Sequence, residues 1–364
     1  MEGFLMNKNH RIFYLDFIRV IAILLVIFIH VSAIDTTLNV GTGQWQITKI
    51  LNYLAHISVP IFFMISGSLL LNSKKTTSLS YTWKQRIPRV VIPFVLWSII
   101  SPIVVGIYAH SLSLHNVLSA VKTILYQPTS PTLWFMYPLV GIYILSPVIK
   151  TFVQNATNGM LIYVTGIWLV TCSLIPSIAV MLPKNFEHVL ELSPVANFFL
   201  VGGFTGYFIL GYLLTKLKVE NTNNLILIVI FLVVGIGGNF VSEIFPNIFD
   251  TNNNYYVTSI FIPIMSVAAF ILLQKWGNRI TSATTIKVFE FLSPLVFGVY
   301  LIHNLLILYI EPFFMNHIAI HGLIATFIRY IVVTVLSIII IWILNLIPGI
   351  NYLLTGNSRK RNSK

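Results

Sequence analysis

Three ionisable side chains stand inside an apolar run where a membrane would make each of them costly. The run spans residues 12–34, IFYLDFIRVIAILLVIFIHVSAI, and holds Asp16, Arg19 and His30. About 20 apolar residues, at about 1.5 Å of rise each, cross a bilayer as a helix. Ionisable groups at that depth mark function by default. Arg19 and His30 are 11 positions apart, which on a helix leaves them about 20° apart around the axis and about 16 Å apart along it. Asp16, three residues before Arg19, falls on nearly the same face. An arginine is a fixed cation with several donors that match phosphate or carboxylate oxygens. A histidine, with an ordinary pKa near 6.5, accepts a proton at neutral pH. Asp16 can neutralise and orient Arg19. One helix would then hold an anion toward one end and take a proton toward the other.

A second set of cations lies in KKTTSLSYTWKQRIPRVVIP, where Arg86 and Arg89 open an apolar segment. One reading is membrane anchoring by snorkelling side chains. The other is a phosphate clamp, which with Arg19 at similar depth points to an anionic cofactor on the cytoplasmic side. His30 likewise has an ordinary reading, as an interfacial side chain bonded to a neighbour. The acidic residues Glu187, Glu191, Glu243 and Asp250 are candidates to orient it, with no basis for choosing among them.

The elements that must position these groups follow from composition. With 57% hydrophobic and 9% charged residues over 364 positions, the chain differs from soluble domains, which carry about 25% charge. It reads as an all-α, polytopic integral membrane protein of about ten transmembrane helices. The expected spans are 12–34, 50–71, 88–109, 132–153, 159–182, 197–217, 223–242, 255–274, 292–311 and 323–346. Residues 112–126 suit an interfacial helix. The first run is too long and too charged for a cleaved signal peptide, so it is expected to remain as a helix. With both termini in the cytoplasm, 17 of the 22 Lys and Arg lie on that side, as the positive-inside rule requires. The net charge of +12 is then a topology signal, and no nucleic-acid partner is expected. The domain plan is a cytoplasmic N-terminus (1–11), a transmembrane domain (12–346) and a basic cytoplasmic tail (347–364). The single cysteine, Cys172, excludes an intramolecular disulfide and a cysteine-based metal site; no metal is expected.

The motifs in this order resemble the acyltransferase family 3 of integral membrane acyltransferases. They are D-x-x-R followed by ten residues and H (Asp16, Arg19, His30), FFMISG (62–67), and R-x-x-R-x-x-x-P (Arg86, Arg89, Pro93). LWFMYPLVGIYILSPVI (133–149) and GVYLIH (298–303) complete the set. Within the family the chain is most similar to the small, membrane-only O-acetyltransferases, such as the one that acetylates enterobacterial common antigen. It departs from many members at Asn304, where they have proline.

The resemblance implies transfer of an acetyl or other short acyl group from cytoplasmic acyl-CoA to a hydroxyl of a cell-envelope glycan or lipid-linked sugar. Arg19 and His30 carry over directly as family site residues. Arg19, Arg86 and Arg89 would hold the CoA phosphates. His30 would act as general base, or take the acyl group itself as a covalent intermediate. Ser66 could let the cofactor or a neighbouring helix approach closely, and Tyr300 and His303 could orient the thioester or the acceptor. Trp134 and Phe135 fit an aromatic belt or sugar stacking, and Arg329 a lining group or a snorkelling side chain. The bilayer is the remaining partner, and homo-oligomerisation stays open. The competing class is an exporter or flippase of polysaccharide or lipid-linked sugar, with Asp16, Arg19 and His30 along its pathway. The absence of repeat symmetry and of paired broken helices argues against it.

Overall fold

The computed structural model describes residues 12–38, 40–124, 127–182, 203–217, 219–245, 255–317 and 322–357. Among them there are helices and turns and no strand. Among the described residues, nine helical segments are long and apolar enough to cross a membrane. In chain order they are α1 (Phe13–Ser32), α2 (Gly43–Leu70), α3 (Leu79–Tyr108), α4 (Leu133–Asn155), α5 (Asn158–Met181), α7 (Asn224–Ile244), α8 (Phe261–Arg279), α9 (Ala283–His317) and α10 (Gly322–Leu346). The shorter apolar helix Thr205–Leu214 is α6. In lipid the backbone must satisfy its own hydrogen bonds, so apolar runs of this length fold as helices. The chain is a multi-pass membrane protein. The expected sixth helix began at residue 197; its first residues lie outside the described ones. Residues Leu114–Thr123 form a short helix with no buried residue, as an interfacial element would.

The chain divides into two compact units. The first gathers residues up to Ala22, His56–Leu69 and Thr157–Ser293; the second gathers Ile23–Ala55, Leu70–Ala156 and the residues from Pro294 onward.

In the first unit, the second half of α2 crosses α6 at small residues. A Cβ on Gly67 would run into the backbone of Phe208, and one on Gly211 into the backbone of Met64. Ser68 Oγ donates to the carbonyl oxygens of Gly211 (2.8 Å) and Met64 (2.9 Å). Small residues let helix backbones meet where lipid supplies no hydrophobic drive. This packing accounts for the glycine of FFMISG, and half-buried Ser66 lies beside it.

In the second unit, Phe28, Ile29 and Ala55 form a core with Leu25, Leu51 and Tyr330 packed on it. A short helix, Ile350–Thr355, ends on Gly356, whose φ of 67° and closeness to the Arg89 carbonyl suit only glycine. Trp97 Nε1 donates to the Leu354 carbonyl at 2.9 Å, so the chain as far as this helix is packed into the unit.

Two of the lysines counted on the cytoplasmic side, Lys150 and Lys275, are buried. Lys150 donates to the Leu71 carbonyl, and Lys275 to that of Thr222. Carbonyls left over at helix and turn ends offer an ammonium group the partners it would lose on leaving water.

Candidate functional site

The first turn of α1 lies in the first unit and builds a polar cluster there. Ser293 begins the 3-10 turn Ser293–Leu295 that interrupts α9. Its Oγ donates to Asp16 Oδ1 at 2.5 Å and accepts from Arg19 Nη1 at 3.1 Å. Arg19 Nη1 stands 3.7 Å from Asp16 Oδ1, beyond direct hydrogen-bond reach, so the serine hydroxyl bridges the pair. Asp16 is buried, while the Arg19 side chain keeps 29% exposure. The guanidinium is therefore oriented by the helix's own carboxylate and by a bridging hydroxyl, and part of it still faces outward. Ser66 belongs to the same unit and has no role in this cluster.

The last turn of α1 lies in the second unit. The His30 ring sits 5.3 Å, centroid to centroid, from that of His303 on α9. His303 is fully buried; its Nδ1 lies 2.6 Å from the Tyr300 carbonyl oxygen, and its Nε2 has no hydrogen-bond partner among the described residues. A carbonyl can only accept, so Nδ1 carries the proton and Nε2 presents a lone pair. One turn earlier, the Tyr300 hydroxyl donates to the Thr132 carbonyl, and its ring meets Phe135 edge-on at 5.5 Å. Asn304 Nδ2 donates to Ser130 Oγ at 3.2 Å. The segment before α4 is thus tied to α9 through Tyr300 and Asn304. Where proline would remove a backbone donor, this asparagine adds a side-chain one. Phe135 is buried and Trp134 half-buried, so Phe135 serves packing against Tyr300.

Arg86 and Arg89 also lie in the second unit. Residues Thr82–Arg86 form a π-helical turn leading into the rest of α3, a distortion that re-aims side chains. Arg86 Nη1 donates to Thr76 Oγ1 at 3.0 Å, and its guanidinium lies 5.4 Å from the centre of the Tyr81 ring. Lys75 Nζ approaches the same ring at 5.5 Å. Arg86 is half-buried and Arg89 exposed.

Arg329 does not snorkel. It is 5% exposed, its Nη2 pairs with Asp35 Oδ2, and its Nη1 stands 3.8 Å from Glu311 Oε1. Thr326 Oγ1 donates to the same Asp35 oxygen at 2.7 Å. Of the acidic residues considered for orienting His30, Glu187, Glu191 and Asp250 lie outside the described residues. Glu243 belongs to the first unit, where it accepts from Asn239 Nδ2 at 3.1 Å. Ser293, Asp35 and Glu311 were not singled out from the sequence. A Ser-Pro step carries no chemical signature, and both carboxylates meet their arginine only through the fold. No group of three or more His, Cys, Asp or Glu that could hold a metal occurs among the described residues.

The arrangement can hold an anion, at Arg19 and at Arg86 with Arg89, and can accept a proton at a histidine pair. No curated protein and no solved structure matches the chain. A family model described as an acyltransferase domain, Acyl_transf_3, matches residues 12–346. Covering nearly its whole length, that match shows that the chain belongs to the Acyl_transf_3 family of membrane acyltransferases.

Proposed function

We propose that this acyltransferase moves an acetyl or other short acyl group from CoA, on the cytoplasmic side, to a hydroxyl of a bacterial cell-envelope glycan or lipid-linked sugar. The observation that carries the reading is the family match over residues 12–346 to a chain whose α1 presents Arg19 and His30 on nearly one face. Their separation along the helix, about 16 Å, is the length an extended pantetheine arm would bridge. Both termini and the Arg19 end of α1 are cytoplasmic in this reading; residues 1–11 and 347–364 flank the membrane domain. The small, membrane-only O-acetyltransferases supply the resemblance for the acetyl group and for the carbohydrate acceptor.

Arg86 and Arg89 bind CoA phosphates. Arg86, held by Thr76 and Tyr81, still has further N–H donors, and a guanidinium matches phosphate oxygens in pairs. Arg19, oriented by Asp16 and Ser293, adds a cation for an anionic group of the donor. His30 takes the proton from the acceptor hydroxyl as its oxygen attacks the thioester carbonyl carbon. As the intermediate collapses the C–S bond breaks, His30 returns the proton to the departing thiolate, and the products are the O-acyl ester and CoA with its thiol restored. His303 presents a neutral imidazole edge to His30 and orients it, while Tyr300 fixes the segment before α4.

The test is the fate of radiolabelled acetyl-CoA in membranes containing the protein. The expected result is release of free CoA together with label in the glycan fraction. A membrane in which acetyl-CoA stays intact while the glycan is exported would contradict the assignment.

A further inference from the structure

Beside the end of α1 that carries His30, the second unit has an open cavity of about 740 Å³. Ligand sites generally measure about 300–1,000 Å³. Its walls come from the turn after α1, the start of α2, the end of α9 and the start of α10. The residues that decide its chemistry are Asp35, Thr42, Gln44, Trp45, Phe314 and Arg329.

Arg329 and Thr326 both engage Asp35 Oδ2, which fixes the carboxylate. Its other oxygen, Oδ1, has no hydrogen bond among the described residues. A fixed carboxylate with one unoccupied oxygen lining a cavity is an acceptor set for hydroxyl groups. Trp45 holds its own Nε1 on the Thr36 carbonyl at 2.8 Å and carries Lys49 Nζ over its ring, 4.6 Å from the ring centre, leaving the rest of the indole and Phe314 as apolar wall. The Gln44 amide offers both a donor and an acceptor, and it is exposed, as is Thr42. Charge weighs against an anionic ligand. Arg329, the cation among the lining residues, already faces Asp35 and Glu311, so a phosphate would meet the Asp35 carboxylate beside a guanidinium whose charge is already balanced. An acyl chain would leave the carboxylate and amide without partners at a cost.

We propose that this cavity binds a sugar unit of the acceptor glycan, with Asp35 and Gln44 taking hydroxyls and Trp45 and Phe314 lying against C–H faces. The inference rests on the glycan-acceptor reading above. Asp35 follows His30 by five residues, which even fully extended span at most about 18 Å, so a neighbouring unit of the same glycan reaches the histidine.

The experiment is saturation-transfer NMR on the full-length protein in nanodiscs. The probes are short neutral oligosaccharides of glucose, galactose, rhamnose and N-acetylglucosamine, with acetyl-CoA affinity measured on the same samples. Asp35→Asn should weaken sugar binding about tenfold or more, the worth of a hydrogen bond to a charged group. Leu38→Trp, which fills the cavity without removing a polar group, should abolish it. Acetyl-CoA affinity should stay within about twofold in both, as expected of a separate site. Sugar binding unchanged by Leu38→Trp, or absent from the wild type while acetyl-CoA still binds, overturns this inference and leaves the donor reading standing. Glycerol 3-phosphate binding in place of the sugars overturns it also. Loss of acetyl-CoA binding by the wild type is instead the failure of the donor reading.

Discussion

Arg329 has 6% of its side chain exposed and faces two carboxylates, those of Asp35 and Glu311, whereas Arg19 has 29% exposed and shares Asp16 through the hydroxyl of Ser293. Both arginines stand in apolar helices, where an isolated charge would cost about 2.5–3.5 kcal/mol or more. The second unit answers that cost at Arg329 by excess negative charge and burial, which makes the arginine a fixed strut that shapes the carboxylate beside it. The first unit meets it at Arg19 with Asp16, engaged through the hydroxyl of Ser293, and leaves 29% of the side chain exposed. A strut and the cation proposed to bind the donor therefore differ in how their charge is balanced, although the residue type is alike.

The comparison breaks most visibly on stability. Arg329→Ala strands two carboxylates and should cost about 3–5 kcal/mol, read as a large drop in the melting temperature of the protein in detergent. Arg19→Ala should cost less than that, about 1 kcal/mol, since the arginine itself is part-exposed and Ser293 still donates to the buried Asp16. Equal losses would erase the distinction between the two arginines. On donor binding the order reverses. Arg19→Ala should weaken acetyl-CoA affinity by about ten- to a hundredfold, the range for hydrogen bonds to charged groups, measured by calorimetry in nanodiscs. Ser293→Ala should produce a smaller loss of the same kind, about threefold to tenfold, because it removes the bridge and keeps both charges. If Ser293→Ala matches Arg19→Ala, the serine itself touches the donor. Thr76→Val, which frees Arg86 from its side-chain partner, should have the smallest effect, an affinity change of about twofold to fivefold.

How much of this could be read beforehand depends on the range over which each signal acts. The helices were legible because an apolar run long enough to span a bilayer has few alternatives, and α4, α5, α7 and α10 lie within a few residues of their expected ends. Asp16, Arg19 and His30 were legible because charge in such a run stands out. Tyr300 and His303 came from a motif, and the fold sets His303 against His30. The partners that arrive from far along the chain were not legible. Ser293 lies 277 residues from Asp16, and Arg329 lies 294 from Asp35; neither separation leaves a local pattern. Lys150 counted only as a cytoplasmic-side charge in the sequence, and its burial against the Leu71 carbonyl is a tertiary fact.

The proton-accepting role proposed for His30 is the centre of the account, and thiol release from acetyl-CoA measures it most directly. Purified protein in nanodiscs, given acetyl-CoA and the glycan fraction, should release CoA at a rate that His30→Ala lowers by about 10²–10⁴-fold, the worth of a general base, with acetyl-CoA affinity retained. His30→Ala releasing CoA at the wild-type rate would contradict the account.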